Sequence, residues 1–198
     1  MRLKSRGCNA YLIEDRSRKI LIDTGTDGKL LAKQIEELDA IIITHAHFDH
    51  IAGARELERI FGCPIYVHPE DMPYVLGEKE FNFSGFMGMM AKMLEKLSNY
   101  RAPENVRSIF ELESSLKIVH LPGHTPGSVC IFKGSNAYCG DLIRNGGKLS
   151  LRSFCSDYKR YLESVRNFIE MEWEIAYPGH GNEVRKSYLK PLKPFPMK

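Results

Sequence analysis

Apolar positions recur along this chain at two spacings, and their alternation sketches the elements. Asn9 to Glu14 and Lys19 to Asp23 are short β-branched or aliphatic runs around the polar Asp15-Arg16-Ser17-Arg18, which predicts a hairpin. From Asp27 the apolar residues Leu30, Leu31, Ile35 and Leu38 follow helical intervals, and Ala40 to Ile43 is a short apolar run suited to a buried strand. A histidine-rich turn follows Thr44. Ile51, Ala54, Leu57, Ile60 and Phe61 then mark one helical face, closed by Gly62 and Pro64 before a strand at Ile65 to His68. Residues 70 to 105 break this alternation. Phe86, Met89, Met90, Met93, Leu94 and Leu97 form a helical stripe between loop-forming segments, which reads as a helical insertion whose methionines pack.

Strands resume at Val106 to Leu112, Leu116 to His120, Ser128 to Phe132 and Ala137 to Cys139, the last two joined by Lys133-Gly134-Ser135-Asn136 as a second hairpin. That hairpin ends in Gly140-Asp141 much as the first ends in Ile22-Asp23-Thr24-Gly25, a faint sign of a diverged duplication with an aspartate closing each half. Tyr161, Leu162, Val165, Phe168 and Ile169 predict a helix capped by Ser156 or Asp157, followed by a strand at Glu174 to Tyr177. Pro191 to Lys198 reads as a frayed tail. The 198 residues therefore suggest one domain with an insertion at about 70–105 and a short C-terminal tail.

Composition narrows the classes. Hydrophobic residues at 43% and charged residues at 27% are ordinary for a globular domain, which argues against disordered and fibrous chains. Net charge is +3, too small a surplus to imply nucleic acid or an anionic membrane as partner. The five cysteines, Cys8, Cys63, Cys130, Cys139 and Cys155, lack any C-x-x-C spacing, so neither a disulfide framework nor a cysteine zinc site is expected. No signal-peptide pattern and no run of about 20 apolar residues is present, and a cytoplasmic protein acting on a small molecule is the expectation.

The chemistry concentrates in Thr44-His45-Ala46-His47-Phe48-Asp49-His50, four potential metal ligands within six residues directly after a buried strand. Random order would produce this H-x-H-x-D-H spacing about three times in ten thousand. A chain leaving a strand sends residues i and i+2 to the same side, so His45 and His47 can share one ion while Asp49 and His50, past the bend, face a second. Two close cations need shared anionic ligands to offset their repulsion. Three further loops can supply the remainder: Pro122-Gly123-His124-Thr125-Pro126-Gly127-Ser128, Gly140-Asp141, and Pro178-Gly179-His180-Gly181. Each sets a ligand type beside glycine, which permits close backbone approach.

Taken in order, these motifs resemble those of the metallo-β-lactamase superfamily and, within it, the glyoxalase II-like hydrolases, whose pattern is T-H-x-H-x-D-H, G-H-T-x-G-S, G-D and G-H-G. They span about Cys8 to Gly181. The resemblance implies an α/β fold, a four-layer αββα sandwich with metals at one edge. It makes His45, His47 and His124 ligands of one ion, Asp49, His50 and His180 ligands of the other, and Asp141 the bridge. The cofactors it implies are two zinc ions, with iron or manganese also compatible with nitrogen-rich ligation. The flavodiiron-like branch carries Glu at the position of His47, which favours zinc. A metal-bound hydroxide is a nucleophile at neutral pH, because coordination lowers the pKa of water to about 7; Asp49 is then the candidate to hold or accept the proton.

The expectation is a dinuclear hydrolase of a small ester, thioester or lactone. Its alternatives are a mononuclear iron persulfide dioxygenase, a phosphodiesterase or ribonuclease, and a noncatalytic metal-binding domain. The glyoxalase II continuation G-D-x-L-F-x-x-G-C-G-R is replaced here by Leu142-Ile143-Arg144-Asn145-Gly146-Gly147-Lys148, and no long glutathione-gripping helical region follows Gly181, so a glutathione thioester is unsupported. Arg144 and Lys148 read as solvated charges, His68 and His120 as satisfied histidines outside the metal set, and Cys139 as a buried inert thiol. Asp23 divides evenly between bracing a ligand histidine and capping its own turn.

Overall fold

The structure is a computed structural model and describes residues 1–81, 93 and 100–189. The Phe86–Leu97 stripe, apart from the exposed Met93, and the tail from Pro191 lie outside the described residues. Strands β1 (Arg2–Leu3), β2 (Ala10–Asp15), β3 (Arg18–Ile22), β4 (Ala40–Ile42), β5 (Ile65–Val67) and β6 (Val106–Ser108) form one sheet in that order. The second sheet has the order β11 (Val184–Arg185), β10 (Ile175–Pro178), β9 (Asn136–Gly140), β8 (Val129–Lys133) and β7 (Lys117–His120). The helices are α1 (Gly28–Ala32), α2 (Phe48–Ile51), α3 (Ala54–Phe61), α4 (Met72–Val75) and α5 (Tyr158–Glu170).

Side-chain alternation sorts the strands into layers, because successive residues of a strand face opposite sides of the sheet. Ile20, Ile22, Ala40 and Ile42 from the first sheet meet Val129, Ile131 and Tyr138 from the second in one buried cluster between the sheets. The intervening Leu21 and Ile41 point the other way, into a cluster with Leu31, Ile51, Ala54 and Leu57 of α1 to α3. Cys130, Phe132, Ala137 and Cys139 likewise pack outward against Tyr161, Val165 and Phe168 of α5. Three apolar seams separate four layers, helices outside and sheets within, which is the αββα sandwich expected.

Both hairpins form, each on a two-residue turn. Arg16 and Ser17 have φ of 49° and 68°, the left-handed pair that suits such a turn between twisted strands. In each sheet the hairpin's second strand is joined through a helix to a parallel neighbour, β3 to β4 across α1 and β9 to β10 across α5. The duplicated ending noted in the sequence thus has a topological counterpart. Asp157 caps α5, accepting from the Arg160 amide at 3.0 Å.

Some elements differ from expectation. Helix α1 ends at Ala32 although Ile35 and Leu38 are buried, because a turn and irregular backbone carry them to the same core. Strand β6 stops at Ser108, whose side chain with Glu111 forms a capping box that starts a 3-10 turn at Ile109. Ile60 is 52% exposed. It lies about 120° around α3 from Ala54, whereas Leu57 and Phe61 stay near that residue's face. The short β11 carried no apolar signal. No helix among the described residues is long and apolar enough to cross a membrane.

Candidate metal centre

Strands β3 and β4 are parallel, and β7 and β9 run the same way because each is antiparallel to β8; β10 is parallel to β9. The segments leaving these strands carry Asp23, His45 to His50, His124, Asp141 and His180. Carboxyl ends of parallel strands are where α/β folds place their sites. Here two sheets present them on one edge of the sandwich. Backbone hydrogen bonds lock the loops together, Val129 N–H donating to Thr44 at 2.9 Å and Gly179 N–H to Gly140 at 2.7 Å. Gly140 has φ of +51° and a Cβ there would lie 2.5 Å from Thr44 Oγ1, so this close approach of the sheets requires glycine.

All seven candidate residues converge. The His45, His47 and His124 rings lie with centroids 4.5–4.8 Å apart, and one donor atom from each falls within 4.8 Å of the other two. Asp49, His50 and His180 form a second such group, with His180 Nε2 at 3.0 Å from Asp49 Oδ2. Asp141 stands between the groups: its Oδ2 lies 3.8 Å from His124 Nε2 and 3.5 Å from His180 Nε2, and its Oδ1 lies 3.6 Å from His50 Nε2.

Whether this cluster suits cations can be read from its polar atoms. His45 Nε2, His50 Nε2, His124 Nε2 and Asp141 Oδ1 are buried with no hydrogen-bond partner among the described residues. Buried polar atoms are otherwise paired almost without exception. Four orphans gathered in this way, three imidazole nitrogens and a carboxylate oxygen, could serve as the donor set of a metal centre.

The surrounding charges agree. Burial pushes the His45 and His47 pKa well down and that of His124 to about 4, keeping these imidazoles neutral. Burial also disfavours the charged forms of Asp49 and Asp141, yet the adjoining imidazoles, His50 foremost, hold both carboxyls well below the usual range. His50 shows the reverse balance. Against its burial, Cys8 and the carboxylates of Asp23 and Asp49 raise its pKa well above normal.

Asp23 braces His50, accepting from its Nδ1 at 2.8 Å, and also takes the Thr44 hydroxyl at 2.7 Å and amide at 2.8 Å. Held by Asp23 through Nδ1, His50 turns its Nε2 toward the cluster, where an ion displacing the Nε2 proton would find a lone pair. Of the two readings left open by the sequence, bracing is the one observed. Arg144 brings its Nε to 3.9 Å from Asp141, while Lys148 is exposed. His68 and His120 stack on each other at 3.9 Å, and His120 Nε2 lies 2.8 Å from the Pro126 carbonyl. Their donors also approach those of the exposed Glu70, yet they stand apart from the seven-residue cluster. Cys139 is buried and its thiol is pushed up to about 12 by burial.

One residue escaped the sequence reading. Asp71, fully buried, accepts from Ala46 N–H at 2.9 Å, the Thr125 hydroxyl at 2.6 Å and Gly127 N–H at 2.7 Å. Its carboxylate therefore ties the His45–His47 loop to the His124 loop. The only local signal was an acidic residue three positions after His68, within no ligand spacing.

Residues 3–180 match the model of the metallo-beta-lactamase superfamily. The chain belongs to that superfamily. A probable metallo-hydrolase of Methanocaldococcus jannaschii is 30% identical over 195 residues, covering 87% of each chain. The hydroxyacylglutathione hydrolase GloC of Haemophilus influenzae is 28% identical over 200 residues, 94% of this chain and 92% of that one. Among solved structures, TTHA1623 in a di-iron-bound form superposes with a TM-score of 0.78 at 28% identity, covering 95% of this chain and 94% of that one.

Proposed function

We propose that this protein is a dinuclear metal-dependent hydrolase of a small ester or lactone, with a thioester the favoured substrate. The observation that carries the reading is Asp141, a buried carboxylate set between two imidazole groups in which the Nε2 atoms of His45, His50 and His124 have no hydrogen-bond partner among the described residues. His45, His47 and His124 would hold one ion and Asp49, His50 and His180 the other, with Asp141 shared. Divalent ions bound there supply a water of lowered pKa and polarise the carbonyl under attack. Imidazole and carboxylate ligation accepts both zinc and iron. The di-iron form of a relative makes iron as good a candidate as the zinc expected from sequence.

The chain's own groups do the rest. Asp49, ionised and the most exposed of the seven, accepts the proton of the attacking water and returns it to the leaving thiolate or alkoxide as the acyl–sulfur or acyl–oxygen bond breaks. Arg144, beside Asp141, offsets the negative charge gathered on that side. The relatives named metallo-hydrolase and hydroxyacylglutathione hydrolase support hydrolysis, and the second supports an acylated thiol.

The test is metal analysis with a substrate screen on protein reloaded separately with zinc and iron. Two ions per chain and turnover of a thioester or lactone are expected, with Asp141→Ala binding one ion fewer and losing at least about a hundredfold in rate. A variant hydrolysing at the wild-type rate would overturn the reading, as would a single iron with oxygen uptake on a persulfide.

A further inference from the structure

The seven clustered residues differ in exposure, and the difference marks an entrance. Side chains of Asp49 and His180 are 38% and 24% exposed, whereas His50, His124 and Asp141 are at most 9%. A substrate must therefore arrive from the Asp49 and His180 side. On the Asp49 flank opens a cleft of about 960 Å³ between α1, α2, α3 and the segment before β6, within the range of about 300–1,000 Å³ usual for small-molecule sites. Beside His180 lies a smaller, polar cleft of about 340 Å³.

Two features of the larger cleft point to its occupant. Its apolar wall combines Phe48, Tyr100 and Ile60, the last among the few large aliphatic side chains left more than half exposed. Its cations are unevenly used. Lys29 pairs with Glu56 at 3.4 Å and Arg55 with Glu58 at 3.1 Å and with Glu104. Arg59, one turn beyond Arg55, and Arg101, next to Tyr100, have no acidic partner within 4 Å among the described residues. The cleft thus runs from Asp49, along an apolar wall, to two guanidinium groups outside any close ion pair among the described residues, Arg59 feeling Glu104 only at longer range.

We infer that the substrate is an amphipathic acyl thioester, its thiol portion carrying an apolar stretch that ends in an anionic group, a carboxylate or a phosphate. The scissile carbonyl lies at Asp49 and the anion at Arg59 and Arg101. This rests on the hydrolase reading above, and the experiment separates the two.

Binding is measured by calorimetry on metal-loaded protein with two thioethers that cannot be hydrolysed, 6-(propylthio)hexanoate and 6-(propylthio)hexanamide, and with 6-(propylthio)hexyl phosphate. Turnover is followed with S-butanoyl 6-mercaptohexanoate and its carboxamide. Anionic ligands should bind about 2- to 30-fold tighter than the amide, from two exposed ion pairs, and kcat/KM should show the same ratio. A larger ratio for the phosphate than for the carboxylate identifies the end group. Salt should shrink the preference. The double variant Arg59→Glu/Arg101→Glu should abolish it, while Lys159→Glu/Arg166→Glu on the exposed face of α5, an equal change in net charge remote from the cleft, should leave it in place. Equal affinity of the wild type for anionic and neutral thioethers would overturn the inference, as would a preference surviving the double variant. Selective binding without turnover of either thioester would overturn the hydrolase reading alone.

Discussion

Replacing Asp71 by alanine should loosen the candidate metal centre without touching any of its seven residues. The carboxylate is fully buried and receives two backbone N–H groups, from Ala46 and Gly127, and the hydroxyl of Thr125. Thr125 keeps Ser128 Oγ at 2.8 Å as an alternative partner, but the two amides lose their acceptor. Each buried donor left unpaired costs about 1–3 kcal/mol, so the metal-free variant should lose about 2–6 kcal/mol from a total of about 5–15 kcal/mol. In a chain of this size that lowers the Tm by about 5–20 °C. The second effect is on binding. His45, His47 and His124 sit on the two loops this carboxylate joins, so metal affinity in a chelator competition should fall about 10- to 100-fold. Asp71→Asn keeps one acceptor oxygen but turns an amide NH₂ toward the other backbone donor, and should fall between wild type and alanine. Urea and thermal melts of metal-free protein read the first effect, chelator competition the second. An alanine variant with unchanged Tm and unchanged affinity would refute the argument.

Two other perturbations follow from the geometry. Burial, assisted by the stacked His120 ring, pushes the His68 pKa down to about 4, against about 6.5 unfolded. The unfolded chain takes up that proton first, so stability is full above pH 6.5 and falls as pH drops toward 4, by at most about 3 kcal/mol. Urea midpoints should therefore decline less in His68→Asn than in wild type over this window; parallel declines would contradict the assignment. In Gly179→Ala, the new Cβ would lie 2.5 Å from both Asp141 Oδ1 and His50 Cε1. Metal stoichiometry by elemental analysis should drop below wild type at a modest stability cost of about 1–3 kcal/mol, and full occupancy would show that the loop yields more easily than its packing indicates.

The seven clustered residues were legible because each occupies a short motif at a strand end, where spacing alone decides which side chains share a side. His45 and His47 are separated by two positions and meet. Asp49 and His50 follow a bend and form their own group with His180, although the His50 ring also comes back against His45, with centroids 4.0 Å apart. Asp71 was invisible for the opposite reason: its importance lies in two amides and a hydroxyl far along the chain, and hydrogen bonds to backbone leave no trace in residue type. Layering was readable where strands alternate, as at Ile20, Leu21 and Ile22, since period two assigns each side chain to a seam. Helix ends were less so. Ile35 and Leu38 keep helical spacing without a helix, because burial rewards position and not the route taken to it. Ile60 was assigned to the buried face from spacing that ran across the break at Gly53.

The ring of His50 lies between Asp23, which closes the hairpin of one sheet, and Asp141, which closes the hairpin of the other. Neither of the two ligand groups proposed above is complete within one sheet, so filling that centre would follow docking of the halves. Metal uptake would then be a late event in maturation, a certificate of assembly rather than its template, and a chain stalled with its sheets apart would remain empty even in a metal-rich cell.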